Sequence, residues 1–385
     1  MSAHDLPEVS RRRFINAAGA GLGAACATGL TAACSTARNG PAASASRGFT
    51  DAVLEAFNAH RLVALGAADS LQNHYDVLGL LLSDPRLPGV VDDVIVEWGN
   101  PLYQDTIDRF VAGQPVADAD LRAVWRNTTQ SPLETWDAPV YEQFYRLVRA
   151  VNWPQPASRQ IRVLAGDSPI DWAKITSTSE VRTVPPRDAF VTSLVQKQVL
   201  GKGRRTLLCY GMTGLFHGTG MTGAIEQATG QRIYVIADLV PLAGDPGGLA
   251  TKLSRYPRNT VISASGTWLG SFNAGQFVAE TNGTQASATM AGQATADRGP
   301  HTAAAGNSFC GVQLGSLIDA GLYPGQPGDL TMTWPDPCIY FDPAYWAELQ
   351  RRNALKSNLV NLAGYRQNHP APYPLTTLAP SQACR

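Results

Sequence analysis

The sequence carries no surplus of charge of either sign. Lys and Arg together number 31, and so do Asp and Glu. Nothing in that balance favours a polyanionic partner, and nucleic-acid binding is not expected. Several catalytic signatures are absent. There is no G-x-S-x-G turn for a nucleophilic serine, no phosphate-binding P-loop and no H-E-x-x-H metal helix. No C-x-x-C pair or C-x-x-C-H haem attachment occurs, and the Gly-rich pieces do not follow G-x-G-x-x-G. Covalent haem attachment and a dinucleotide site are therefore not expected. Long Leu- and Ile-rich runs are lacking too. The apolar run Asn16–Leu30 is built mostly of Gly and Ala and makes a poor permanent membrane span. No internal repeat is evident.

What is present begins with an address. Ser10-Arg11-Arg12-Arg13-Phe14-Ile15, followed by that weakly hydrophobic run, resembles a twin-arginine export signal. Leu30-Thr31-Ala32-Ala33-Cys34 resembles a lipoprotein processing box, although Thr31 stands where a branched aliphatic residue is usual. Lipidation of Cys34 and simple cleavage after Ala33 or Ala37 both remain open. The expectation is a protein carried by the twin-arginine translocase to the periplasm or cell envelope, touching the membrane only through a lipid on Cys34. Residues 1–34 form the signal, 35–47 a small, polar, flexible tether, and 48–385 the folded part. Removing 1–34 leaves 28 basic and 29 acidic residues. Export permits disulfides among Cys209, Cys310, Cys338 and Cys384, which allow three complete pairings. Cys209, inside TLLCYG, reads as a buried thiol. A bridge among the other three would clip the C-terminal region.

The body alternates short apolar runs with helical spacing. Runs at 62–65, 94–96, 161–164, 206–210, 233–236 and 260–262 predict strands. Amphipathic stretches at 50–59, 71–82, 103–111, 118–125, 140–151, 188–200 and 221–228 predict helices, and 344–355 a further one with a basic end. This pattern predicts a three-layer α/β fold, a mainly parallel sheet covered on both faces. The interval between Val96 and Ile161 is too long for one crossover, so residues 101–155 are expected to form a helical cap insertion near the strand ends. Residues 272–301 are small, polar and Gly-rich and read as a long loop that could fold over a site.

In an open α/β sheet, ligands bind outside the carboxyl ends of the strands. Those ends read Gly66-Ala67-Ala68-Asp69, Glu97-Trp98-Gly99-Asn100, Gly166-Asp167-Ser168-Pro169-Ile170-Asp171, Gly211-Met212-Thr213-Gly214 and Asp238. A carboxylate at such an end can act as a base, hold a metal or cap the next helix. Their convergence on one edge predicts a shared pocket.

The pieces HRLVALG, VIVEWGN, RVLAGDSPIDW, RRTLLCYGMTGLFHG and PDPCIYFDPAYWAEL resemble a superfamily of erythromycin esterase-like, ChaN-like haem-binding and Tiki-like metal-dependent proteins, over most of residues 60–355. The resemblance implies a Gly-Glu-x-His motif after the first strand, a second Glu after the next, and a later Gly followed by His. Gly66, Glu97 and Gly211 match. The first Glu falls on Ala67, its His near Asp69, and the later His near Gly214, with His217 the nearest imidazole. Three readings stand open. The ancestral chemistry is lost, or it is rebuilt on Asp69, His74, Glu97 and His217, or His74-x-Asp76 carries it.

Two functions from different classes follow. One is an exported hydrolase with Glu97, Asp69 and His217 in catalytic roles. Asn100, Gln104, Arg126, Trp136, Asp167 and Asp171 would then contact a small-molecule substrate. The other is a non-catalytic protein that binds haem, iron or a small metabolite. A divalent metal or a haem, with Tyr210 as a phenolate ligand, is the cofactor class the resemblance leaves in view. Each residue also has a packing role available: Asp69 as a helix cap, His74 and the tryptophans in the core, Asp167 and Asp171 in a Ser-Pro turn.

Overall fold

A computed structural model describes residues 46–68, 70–241, 248–278, 309–366 and 373–374, all within one compact unit, Ala42–Arg385. Eight strands form the main sheet. They are β1 (Ser46–Gly48), β2 (Leu62–Ala67), β3 (Asp93–Val96), β4 (Arg162–Ala165), β5 (Thr206–Gly211), β6 (Ile233–Asp238), β7 (Thr260–Ser263) and β8 (Ala320–Tyr323). Their order across the sheet is β1-β7-β8-β6-β2-β5-β3-β4. The run from β8 to β4 is parallel; β7 is antiparallel to both β8 and β1. The central strands are continuous apolar runs because both faces are covered, as in LVALGA of β2, where every residue is buried.

One face carries α1 (Phe49–Ala59), α2 (Gln72–Leu82), α3 (Gln104–Val111), α4 (Asp118–Arg126) and α5 (Pro139–Asn152), which share a core with Val63, Leu65, Val94, Val96 and Val163. After the short helix α6 (Thr178–Val181), the opposite face carries α7 (Arg187–Leu194), α8 (Gly220–Thr229) and α9 (Leu249–Leu253), which pack on Ala64, Ile95, Leu208 and Val235. The helices expected over residues 101–155 are present as α3, α4 and α5. The apolar stripes of α3 to α5 (Ile107 and Phe110, Leu121 and Val124, Phe144, Tyr145 and Val148) sink into the same core as α1 and α2. A stripe of that width is buried against the nearest apolar surface, here β3 and β4, so these helices extend a layer.

Two sheet strands lie outside the periodicity read above. β1 is a three-residue exposed edge, and β8 reads only Ala-Gly-Leu-Tyr. Gly321 belongs in β8 because a Cβ there would collide with the Leu239 side chain. A two-residue strand, β9 (Thr331–Met332), pairs antiparallel with β10 (Tyr373–Pro374). The last long helix, α10 (Pro343–Leu355), is started by Asp342, whose carboxylate accepts from the Ala344 and Tyr345 N–H groups. It is fastened through Arg352, which donates to Arg126 O, Ser131 Oγ and Asn127 Oδ1.

Cys209 is a buried thiol, Cys338 is exposed and free, and Cys310 is disulfide-bonded. Cys338 therefore stands outside any bridge. Residues 1–34, and Cys34 with them, lie outside the described residues. Among the described residues no helix is long and apolar enough to cross a membrane.

Candidate functional site

The chain leaves β2 and β3 towards the α1–α5 face and leaves β5 and β6 towards the α7–α9 face. Because β2 lies between β5 and β6, the carboxyl ends of these strands flank a topological switch, the place where open α/β sheets form their ligand crevice. Two buried polar clusters occupy this edge, one on each side of the sheet.

The first is centred on Glu97. Period-two alternation along β3 puts Ile95 in the α7-side core and Val96 in the other, so Glu97 faces α7. Its Oε2 accepts from Gly211 N at 3.1 Å and from Arg187 Nη1 at 3.3 Å. Arg187 opens α7 and also donates from Nε to Asp167 Oδ1 at 3.1 Å. Asp167 is fully enclosed and takes two further bonds from Thr129, through its N–H and its hydroxyl. Burial holds the Glu97 carboxyl above its ordinary range; Arg187 and the Gly211 N–H pull it down, and Asp167 adds to the rise. Burial opposes the charge on Arg187, yet the two carboxylates outweigh it and hold the guanidinium above its usual value. One arginine thus serves two acids, and the cluster ties β3, β4, β5 and α7 together.

The second cluster is centred on His74 and lies on the α2 side. The His74 Nδ1 is 3.0 Å from Asp238 Oδ2 and 3.1 Å from Oδ1, and Oδ2 also accepts from Ala68 N at 2.9 Å. Asp238 ends β6, and His74 sits in the first turn of α2, so the contact bridges the crevice. Both side chains are buried. With Asp238 accepting from Nδ1, the neutral imidazole presents a lone pair at Nε2. Among the described residues that Nε2 has no hydrogen-bond partner; neither has the buried Ser70 Oγ, nor the indole Nε1 of Trp98. Buried polar atoms are rarely left so, because each costs its lost hydration. Aromatic rings wall this side. Trp136 stacks on Tyr141 at 5.4 Å, Tyr141 lies 5.4 Å from Trp98, and Tyr75 stands between Trp98 and His74 at 5.9 and 5.5 Å.

Of the residues marked by the sequence, Glu97 and Asp167 come together, and Trp136 joins the aromatic wall. The others have local duties. Asn100 donates to Asn127 O and Ile170 O and accepts from Leu102 N, which uses its whole amide. Gln104 donates to Val163 O and accepts from Ala165 N, completing the outer edge of β4 as a missing strand would. Arg126 pairs with Asp137 at 3.0 Å and lies over the Tyr345 ring, towards α10. Asp171 makes an exposed ion pair with Lys174. Asp76 is exposed on α2, turned away from His74. Asp69 lies outside the described residues.

His217 is at the opposite edge of the sheet. Its Nε2 meets Asp319 Oδ2 at 2.8 Å and its Nδ1 meets Glu226 Oε1 at 3.1 Å. Asp319 precedes β8, and Glu226 accepts from Ile233, the first residue of β6. These are amino ends, whereas Glu97 follows a carboxyl end. The structure does not bring His217 to the crevice.

Arg187, Ser70 and the Asp238–His74 pairing were missed. Asp238 was legible as a strand-end carboxylate, but nothing in the sequence pairs it with a histidine 164 residues earlier. The described residues also bear on a resident cofactor. Among them no three His, Cys, Asp or Glu side chains gather to hold a metal ion. The Tyr210 hydroxyl donates to Gly166 O at 2.9 Å, and burial pushes its pKa well above the usual value.

No family model matches the chain, and no curated protein matches it. Solved structures do. A ChaN protein of Campylobacter jejuni, described with cofacial haem binding, is 12% identical, with 51% of this chain and 86% of that one covered and a TM-score of 0.33. The type III effector HopBA1 is 12% identical over 53% of this chain and 90% of its own, with a TM-score of 0.34. A Bacillus cereus protein is 10% identical over 53% and 76%, with a TM-score of 0.35. One of the three belongs to the ChaN group named in the sequence resemblance, but likeness at this level transfers neither ligand nor activity to this chain.

Proposed function

We propose that the chain is a hydrolase of a small, partly apolar molecule, working at the carboxyl-edge crevice with His74 as its general base. The observation that carries this reading is the His74 imidazole. One nitrogen is fixed by Asp238, and the other is buried, unpartnered and beside an aromatic wall. A base must hold its tautomer and orientation while leaving one nitrogen for the reacting proton. Asp238 supplies the first condition, and the Ala68 N–H fixes Asp238 in turn. This moves the centre of the site from Glu97, whose Oε2 is committed to Arg187 and the β5 backbone, to His74. Glu97 and Asp167 hold the rim of the crevice in shape.

The fold is also suited to the rival reading, non-catalytic binding of haem, iron or a small metabolite in a cell-envelope protein. The two separate on measurement. Purified protein is offered a panel of short-chain nitrophenyl esters, lactones and amides, in parallel with His74→Gln and with visible absorption and metal content recorded. The hydrolase reading expects turnover that falls about 10²- to 10⁴-fold in His74→Gln while circular dichroism is unchanged. A protein with a bound chromophore or stoichiometric metal and no turnover on the panel would replace it with the binding reading. Export, by the same proposal, runs through the twin-arginine signal, and fractionation of cells expressing Arg11→Lys/Arg12→Lys/Arg13→Lys protein checks that step.

A further inference from the structure

Ser70 is the residue the sequence motifs passed over. It stands on the turn between β2 and α2, at the carboxyl edge, with a φ of 62°. A non-glycine residue is rarely found in this left-handed region, and residues held there cluster at functional sites. The surroundings over-determine the conformation. Ser70 O accepts from Thr333 N at 2.8 Å, and Leu71 bridges to Met332. Asn73 accepts from Thr331 N and donates to Asp329 O. Residues 329–333 thus form a strap that clamps the turn on its backbone and leaves the Ser70 hydroxyl unused. That hydroxyl is closed to solvent, 3% of the residue being exposed, and has no hydrogen-bond partner among the described residues.

Four residues on, His74 has Asp238 on Nδ1 and presents an Nε2 that bonds to none of the described residues, Ser70 included. The N-cap residue of α2, Leu71, has no side chain to cap it, and the N–H groups of Gln72 and Asn73 in the first turn carry no intrahelical bond. A hydroxyl on a strained strand–helix turn, an oriented imidazole and the N–H groups of a helix's first turn are the parts acyl transfer needs: nucleophile, base and oxyanion donors.

We propose that Ser70 is a nucleophile, served by His74 and Asp238, and that the substrate class is carboxylic esters; this rests on the hydrolase reading above. Ser70 Oγ forms a bond to the acyl carbon while its proton passes to His74 Nε2. The carbonyl oxygen takes the negative charge beside the first turn of α2. The C–O bond to the alcohol then breaks, and the alcohol leaves with the proton from His74. Water, deprotonated by the same nitrogen, attacks the acyl-serine, releasing the acid and restoring the hydroxyl. The sum is ester plus water giving acid plus alcohol.

The test uses the whole chain and a fluorophosphonate, which reports a nucleophilic serine without knowledge of the substrate. Serine displaces fluoride at phosphorus, forming a P–O bond as P–F breaks, and the proton goes to His74. The expected result is one adduct, mapped by peptide mass to Ser70, with labelling slowed at least about 100-fold in His74→Gln. Ser70→Gly, which accepts the same φ, gives a second variant with the turn intact, and it should lose both label and ester hydrolysis. If Ser70→Gly hydrolyses esters as fast as the native chain while His74→Gln does not, Ser70 is overturned and His74 acts on water directly. If native protein neither labels at Ser70 nor hydrolyses esters, both readings fall. Labelling at Ser70 that ignores His74 overturns the assigned base.

Discussion

His74 Nδ1 and Asp238 Oδ2, 3.0 Å apart and both shut away from solvent, join the first turn of α2 to the end of β6 across the crevice. Replacing Asp238 by Asn keeps the volume but lets the amide donate, so the imidazole loses its reason to keep the proton on Nδ1. Asp238→Asn is expected to fold and to lower turnover by about 10³- to 10⁴-fold through the wrong tautomer. Ester hydrolysis together with a thermal melt checks this; a variant that melts like the native chain and keeps its rate contradicts the role given to the pair.

Glu97 is expected to matter for the fold more than for the reaction. Its folded-state pKa is raised above the ordinary 4.5 by burial, so the native state favours the proton more than the unfolded chain does. Stability from this group is therefore greatest below pH 4.5 and declines as pH rises through the raised value. Glu97→Gln removes that decline, so its stability relative to the native protein should improve from pH 4 to pH 8 in paired urea titrations. Glu97→Ala takes from Arg187 one of its two carboxylate partners and is expected to cost about 3 kcal/mol. A Glu97→Gln curve parallel to the native one at every pH would remove burial as the cause.

His217 should behave as a brace. Its two nitrogens meet Glu226 and Asp319 at the amino ends of β6 and β8. Burial opposes ionisation of Asp319, but bonds from His217, Val235 N and Arg232 hold its carboxyl below the usual 3.8. His217→Ala is predicted to lower stability by about 1–3 kcal/mol and leave turnover unchanged. Denaturant midpoints and rates on the same preparations decide it; lost turnover at unchanged stability would put His217 back among the catalytic residues.

Gly166 is fixed by Tyr210. A Cβ at this position would run into the Tyr210 hydroxyl, Ile95 Cγ2 and Val96 O, all in the sheet interior. Gly166→Ala should break the Tyr210–Gly166 hydrogen bond and cost about 1–3 kcal/mol from overpacking. An unchanged melting temperature would show that this edge yields more than its packing suggests.

The strap offers a prediction on access. Asn73 holds both Thr331 N and Asp329 O with one carboxamide. Asn73→Ala frees residues 329–333 from α2 and should change the fluorophosphonate labelling rate of Ser70, which sits under the same strap. Stopped-time mass spectrometry reads the rate; equal rates in the two proteins would mean that the strap governs neither access nor turn geometry.

Much of the scaffold was legible because burial on both faces writes it as apolar runs. Six of the eight sheet strands, with α1 to α5, α7, α8 and α10, fall within a few residues of where periodicity puts them, whereas the short α6 and α9 were not read. β8 escaped because four residues centred on a glycine carry no period. The helices of 101–155 were legible as helices but not as part of a layer, since the stripe of α5 does not say which surface it meets. The site was less legible. Glu97 and Asp167 stand at strand ends as expected, yet their shared partner Arg187 opens a helix after a long, featureless segment. Asn100 and Gln104 looked like ligand contacts because polar residues after a strand do. They close backbone gaps instead, a role visible only when the carbonyls they satisfy are in place. Ser70 carries no sequence mark, because a left-handed φ on a non-glycine residue is imposed by tertiary contacts 260 residues away, such as the Thr333 N–H.

The measurement that bears most directly on the central claim is kcat/KM for one hydrolysed ester in His74→Gln and Glu97→Gln, side by side, each at a temperature where it is fully folded. With His74 as the base, the first variant falls by about 10²- to 10⁴-fold and the second by less than about tenfold. The reverse order, with Glu97→Gln inactive and His74→Gln near native, would contradict the account and return the chemistry to the Glu97–Arg187 side of the sheet.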